Sequence, residues 1–263
     1  MSIKLGLIGG GANLRILACA MAMGLIAGCA ELDPELNLLP GIHFDQQTGE
    51  VELEGRVCIE QGFLEYVAVA DGGKEYESIF ALSCRPSHLQ MAMLLAGCQA
   101  GEVDPQLRGD FKPQTDPAVD LQPEGPSPTS PPEDYFATAG AEPTKLNIDL
   151  EVQQEDGAWT RHPIEHFLKD RATGRPPPRL TWAFTGSFFL RDQQSGLEYF
   201  VADEDKSLIA LWYDPTALFN LARNVGNPYR GDDLGLEVDS DRLPGKNTPV
   251  RLYLRPVAEA GRH

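Results

Sequence analysis

The densest grouping of side chains able to do chemistry is His162-Pro163-Ile164-Glu165-His166. It matches the H-x-x-E-H arrangement in which two imidazoles bind a zinc ion and the carboxylate activates a water. That use needs both histidines on one helix face, and Pro163 favours the first helical position, which makes His162 a cap residue. The helix predicted from Pro163 to Leu168 is only about two turns long, with no long partner helix to supply a third carboxylate. A metal-dependent hydrolase using His162, Glu165 and His166 is therefore the alternative reading.

Other groupings carry less. Thr185-Gly186-Ser187 lacks the second glycine of a nucleophile elbow and sits within a strand-like run, where its glycine marks a bulge or a close backbone contact. Lys74-Glu75-Tyr76-Glu77-Ser78 opens a strand after a glycine turn, and Asp203-Glu204-Asp205-Lys206 forms a turn between apolar strands. Both read as solvated turn charge, and the second lacks the ligand count and glycine of a calcium loop. Gly9-Gly10-Gly11 follows a strand-like run, but Leu14 stands where a dinucleotide fingerprint needs its third glycine. Met91 and Met93 do not share a helical face, so they read as core rather than as a metal or ligand groove.

The elements that would position these groups fall into three segments. Residues 1–28 carry only the basic charges Lys4 and Arg15, then an apolar or small run from Ile16 to Gly28. That run is too short to span a bilayer but fits a secretory signal. It ends in Ile26-Ala27-Gly28-Cys29, which resembles a bacterial lipobox, so a mature chain lipidated at Cys29 and held to the membrane is expected. Ala30, rather than Asp, favours the outer membrane of a Gram-negative cell. Residues 29–40 read as a tether. Cys58, Cys84 and Cys98 remain, an odd number that permits at most one internal bridge, most naturally through Cys58, or three buried thiols.

Residues 41–263 read as one domain. Ile42-His43-Phe44 and Val51 to Ile59 form a hairpin, Phe63 to Ala70 and Ser78 to Leu82 two more strands. Ser87-His88-Leu89-Gln90 is a capping box that opens a helix ending at Gly97. That helix is apolar nearly all round and is expected to be buried. Residues 104–144 hold nine of the 21 prolines and eight acidic against two basic residues, and read as a disordered insertion. Leu146 to Val152, Ala158 to Thr160, Leu180 to Leu190, Tyr199 to Ala202, Leu208 to Tyr213 and Val250 to Leu254 are further strands. Without regular strand–helix alternation, the class is α+β, with a predominantly antiparallel or mixed sheet and a few short helices. The 22 basic and 39 acidic residues give a net charge of −17. No basic stripe interrupts it, which argues against nucleic acid as a partner.

Several motifs taken together resemble the YdjY-like domain of bacterial exported proteins, common in lipoproteins of the planctomycete type. They are Glu54-Gly55-Arg56-Val57-Cys58-Ile59, Leu64-Glu65-Tyr66, Lys74 to Ile79, Pro86-Ser87 through Gly97, Trp182 to Ser187, Tyr199 to Asp203 and Thr248-Pro249-Val250. The candidate ligand contacts within them are Glu65, Lys74, Glu75, Glu77, Trp182, Ser187 and Asp203. The family pattern has a histidine at the position of Tyr76, and a phenol cannot replace it as a base or a zinc ligand at neutral pH. The resemblance implies no cofactor. An iron–sulfur cluster would need four ligands, usually cysteines, and only three cysteines remain. A binding or assembly module at the cell envelope, rather than an enzyme, is the expectation.

Overall fold

The computed structural model describes residues 35–263 except 46, 104–140, 155, 193–194, 224, 226–234 and 258–263. The signal segment, Cys29 and all but the last residues of the proline-rich insertion lie outside the described residues. In chain order the strands are β1 (Glu35–Leu39), β2 (Ile42–Asp45), β3 (Val51–Val57), β4 (Tyr66–Ala70), β5 (Ser78–Leu82), β6 (Lys145–Gln153), β7 (Trp159–Pro163) and β8 (Leu168–Asp170). They continue with β9 (Trp182–Phe184), β10 (Phe189–Arg191), β11 (Glu198–Phe200), β12 (Ser207–Ala210), β13 (Phe219–Leu221), β14 (Leu236–Val238) and β15 (Pro249–Pro256). Among the described residues, helix is confined to α1 (Pro86–Leu95), α2 (Val201–Asp205) and the 3₁₀ turns Glu75–Glu77 and Ile164–Phe167.

The alternating pattern of β3, β6 and β15 explains their pairing. Leu53, Leu252 and Leu150 lie side by side across three strands, as do Val51, Leu254 and Ile148. All six are buried in one apolar cluster. The intervening residues, Glu52, Arg251, Tyr253 and Glu151, face the other way, where Arg161 lies 3.7 Å over the Tyr253 ring and Arg251 4.3 Å over Trp159. A two-residue period with one wet face produces this division.

The main sheet runs β3–β15–β6–β9–β13–β12–β4–β5, and β5 then pairs back onto β3, closing an eight-stranded barrel. Eight strands leave an interior that side chains alone can fill. Here Trp182, Phe184, Phe80 and Phe219 are all fully buried in that cluster. Gly55 permits the closure, because a Cβ there would lie 2.4 Å from the Ala81 carbonyl oxygen. The hairpin β1–β2 continues the sheet from β3, and β7 pairs with β6. The molecule is therefore mostly β with few short helices. The sheet is mixed, as expected, since β4–β5 and β12–β13 pair in parallel. What the α+β reading did not contain is the closure.

Several local expectations change. The capping box does not form: Arg85 is the N-cap and makes no side-chain bond to the helix, and Asp203 caps α1 from a distant segment. Nor is α1 buried all round, for Met91, Leu94 and Leu95 are exposed. Asp203 lies in α2 rather than in a turn. The expected strand Leu180 to Leu190 breaks at Gly186 (φ 71°), where the amides of Thr185 and Gly186 both donate to the Leu218 carbonyl. Of the two expectations for that glycine, a bulge or a close backbone contact, the shared acceptor is the signature of a bulge. Cys58, Cys84 and Cys98 are free and buried, each thiol pushed up by burial, to about 11, 12 and 11.

Candidate functional site

The end of the barrel where β4 and β5 begin gathers most of the charged candidates. These two strands run parallel with only residues 71–77 between them, so Tyr66 and Ser78 are register partners. Glu65 and Glu77, one residue earlier on each, are therefore neighbours, with the Glu65 amide donating to the Glu77 carbonyl. The connection folds as a glycine turn and a 3₁₀ turn, which brings Lys74 back over the same end. Its ammonium lies 3.6 Å from Glu65 and 3.7 Å from Glu77, and donates to the Tyr66 hydroxyl at 3.3 Å.

The Tyr66 hydroxyl in turn donates to Asp214 at 2.7 Å. Asp214 is fixed in turn by the backbone and hydroxyl of Thr216, and its amide donates to Asn220, whose side chain donates to Thr185. Burial first, then the Glu77 carboxylate, push Glu65 up to about 7, against the pull of Lys74. Burial disfavours the Lys74 ammonium, yet Glu65, Glu77 and Asp214 hold it above its ordinary value. Asp205 is raised by burial and by Asp214. Glu65 and Glu77 thus flank the Lys74 ammonium, and Asp214 and Asp205 lie near enough to interact electrostatically with it.

Beside this node stands a balanced one. Arg56 donates two bonds to Glu75, at 2.9 and 3.2 Å, and lies 3.2 Å from Asp71. That guanidinium and the Gly72 amide hold Glu75 below its usual range. Between the two nodes Tyr76 projects into solvent, 75% exposed.

The structure thus brings Glu65, Lys74, Glu75 and Glu77 together and disperses the other candidates. Trp182 is buried in the barrel core. Ser187 is buried too, and its amide donates to Gln90 on α1. Asp203 receives bonds from Arg85, the Ser87 amide and the Ser87 hydroxyl. Arg56, Tyr66, Asp205 and Asp214 complete the rim. Arg56 and Tyr66 stood within the recognised motifs, whereas nothing in the sequence signalled Asp214.

The HPIEH segment forms differently from its motif. His162 ends up on β7 and His166 in a 3₁₀ turn, their rings stacked at 4.4 Å and 11°. Burial, then His162 and Arg242, lower His166 below its ordinary value. Glu165 turns away into the interior, where it accepts from Arg179 at 3.0 Å and from the Leu180 amide at 2.6 Å. Among the described residues, no group of three or more His, Cys, Asp or Glu is placed to hold a metal ion.

Fold and site together define a closed, mostly β barrel domain with an acidic rim around Lys74, the Lys206 ammonium lying beside Gly72 of the same connection. Residues 42–255 match the family model of the YdjY domain, and the chain belongs to that family. No curated protein and no solved structure matches it significantly.

Proposed function

We propose that the chain is a lipid-anchored binding module of the cell envelope, tethered through Cys29, whose acidic rim receives a positively charged group. The observation that carries the binding reading is the crowding at Lys74, whose ammonium lies 3.6 and 3.7 Å from the carboxylates of Glu65 and Glu77, with Asp205 and Asp214 nearby. A second cation entering there relieves like-charge repulsion among partly desolvated groups. The exposed Tyr76 ring beside it offers the face that a cation favours. The barrel interior is packed with side chains, so recognition belongs to this rim. Anchoring is supported by the apolar run to Gly28 and the lipobox-like Ile26-Ala27-Gly28-Cys29. For the hydrolase alternative, the commitment of Glu165 to Arg179 and Leu180 leaves no geometric support.

Titration calorimetry with spermidine at pH 7, in two buffers of different ionisation enthalpy, tests the rim. A bound cation draws the Glu65 pKa down and releases protons, so the heat depends on the buffer. Glu65→Gln removes that dependence, and salt weakens binding. Absence of binding, or binding unchanged in both Glu65→Gln and Glu77→Gln, refutes the reading. Cys29→Ala tests the anchor by membrane fractionation, which must shift to the soluble fraction.

A further inference from the structure

Helix α1 is covered on one side only. Leu89, Ala92 and Met93 are buried, while Met91, Leu94 and Leu95 stand 52%, 51% and 56% exposed. Their spacing places them on one face of the helix. Gln90, one turn before Leu94, holds the Ser187 amide, two residues from Phe189, which is itself 58% exposed.

The C-terminal end of α1 lies at the end of the barrel opposite Glu65 and Glu77, while its first turn is tied through Asp203 to the short helix that carries Asp205. A Cβ at Gly49 would meet the Ala96 carbonyl at 4.0 Å and the Pro256 ring at 3.9 Å, so the end of α1 and the end of β15 share this turn. Asp45, which opens the turn, is the register partner of Glu35, the first described residue. The other end of β15 lies beside Arg56 of the rim, through the Pro249–Arg56 pair. A strand of eight residues separates its two ends by roughly 24 Å, seven steps of about 3.4 Å. Glu35 follows Cys29 by six residues, a reach of at most roughly 21 Å.

We infer that the exposed face of α1 rests on the bilayer, with Met91, Leu94 and Leu95 entering the boundary between headgroups and acyl chains. This rests on the lipid anchor at Cys29. The acyl groups hold this end within leash length of the membrane, so even a small apolar face meets lipid at high effective concentration. The net charge of −17 repels an anionic surface, so apolar contact must carry the docking, on zwitterionic lipid. Glu65 and Glu77, at the starts of β4 and β5, then lie toward the end of the barrel away from the membrane.

The test uses the lipidated chain on phosphatidylethanolamine–phosphatidylcholine vesicles doped with brominated lipid. A solvatochromic thiol label is placed at Leu95→Cys or, at the rim end, at Lys246→Cys. The native thiols are buried with raised pKa values and do not compete. At position 95 the emission shifts to the blue and is quenched about twofold by the brominated lipid, while position 246 stays unquenched. Because Leu94 is exposed, Leu94→Glu folds as the parent does and abolishes quenching of a label at Met91→Cys. Equal emission at 95 and 246 on a chain that floats with the vesicles overturns the inference and leaves the anchor intact. A chain that does not float overturns both. A label at 95 already blue-shifted without vesicles, on a molecule of doubled mass, shows that a second copy covers the face and overturns it as well.

Discussion

Glu165→Ala separates a carboxylate that holds the fold from one kept free for chemistry. The side chain is 6% exposed and accepts two bonds, from Arg179 at 3.0 Å and the Leu180 amide at 2.6 Å. Its removal leaves a buried amide without its acceptor, at a cost of roughly 1–3 kcal/mol. Arg179 keeps Asp149 at 2.7 Å, and 37% of its side chain is in water. Losing the second carboxylate therefore adds only about 1 kcal/mol. Together the variant loses about 3 kcal/mol, or about 6–12 °C in Tm for a domain of this size. Glu165→Gln keeps an acceptor for Leu180 and loses only about 1 kcal/mol. Thermal and urea unfolding of the purified chain measure both. A carboxylate reserved for activating water is replaced at little cost or with a gain in stability. Glu165→Ala as stable as the parent would falsify the structural role and return HPIEH to consideration as a metal site.

Two further perturbations probe the rim and the helix. Glu65 is raised from 4.5 to about 7 in the fold, so the native state binds more protons across that window and stability falls as pH rises through it. Glu65→Gln should flatten the slope and stabilise the chain at pH 8 by about 1–3 kcal/mol. Urea unfolding from pH 5 to 8 checks this, and parallel curves for parent and variant refute it. Asp203→Ala removes three bonds from the start of α1, a loss of roughly 1–2 kcal/mol. It should speed amide exchange in the first turn of α1, whereas Asp203→Asn retains much of the protection; unchanged exchange in the alanine variant sinks the capping role.

The parts of this fold that could be read in advance are those whose information is local. Val51-Glu52-Leu53-Glu54 and Leu146 to Val152 alternate over enough residues for the period to declare itself, and β3, β6 and the hairpin β2–β3 form where the pattern puts them. Strands β8, β9, β13 and β14 have three residues each, too few for a period. Strands β9 and β13 form because the closing sheet supplies partners, whereas β8 and β14 pair with each other in a sheet of their own. Helix α1 shows the same limit from the other side. Its apolar composition was legible, but which face the barrel covers depends on the approach of β2 and of the segment around Ser187.

The site was half legible for a related reason. Lys74, Glu75 and Glu77 were visible as one run, and Glu65 stood in a separate motif. What joins them is the parallel register of β4 and β5, a pairing that a seven-residue connection rarely makes, since parallel neighbours usually need a crossover of a dozen or more. A hairpin with the same turn would have placed Ser78 opposite Ala70 and left Glu77 far from Glu65. The compact return through the Gly72-Gly73 turn and the 3₁₀ turn of Glu75–Glu77 thus does two things. It sets two carboxylates side by side, and it carries the lysine that partly neutralises them. Asp203 stood within a motif of the family resemblance and Asp214 within none, yet it is Asp214 that joins the site. Long-range contacts separate them, one going to the start of a helix and the other to a buried tyrosine.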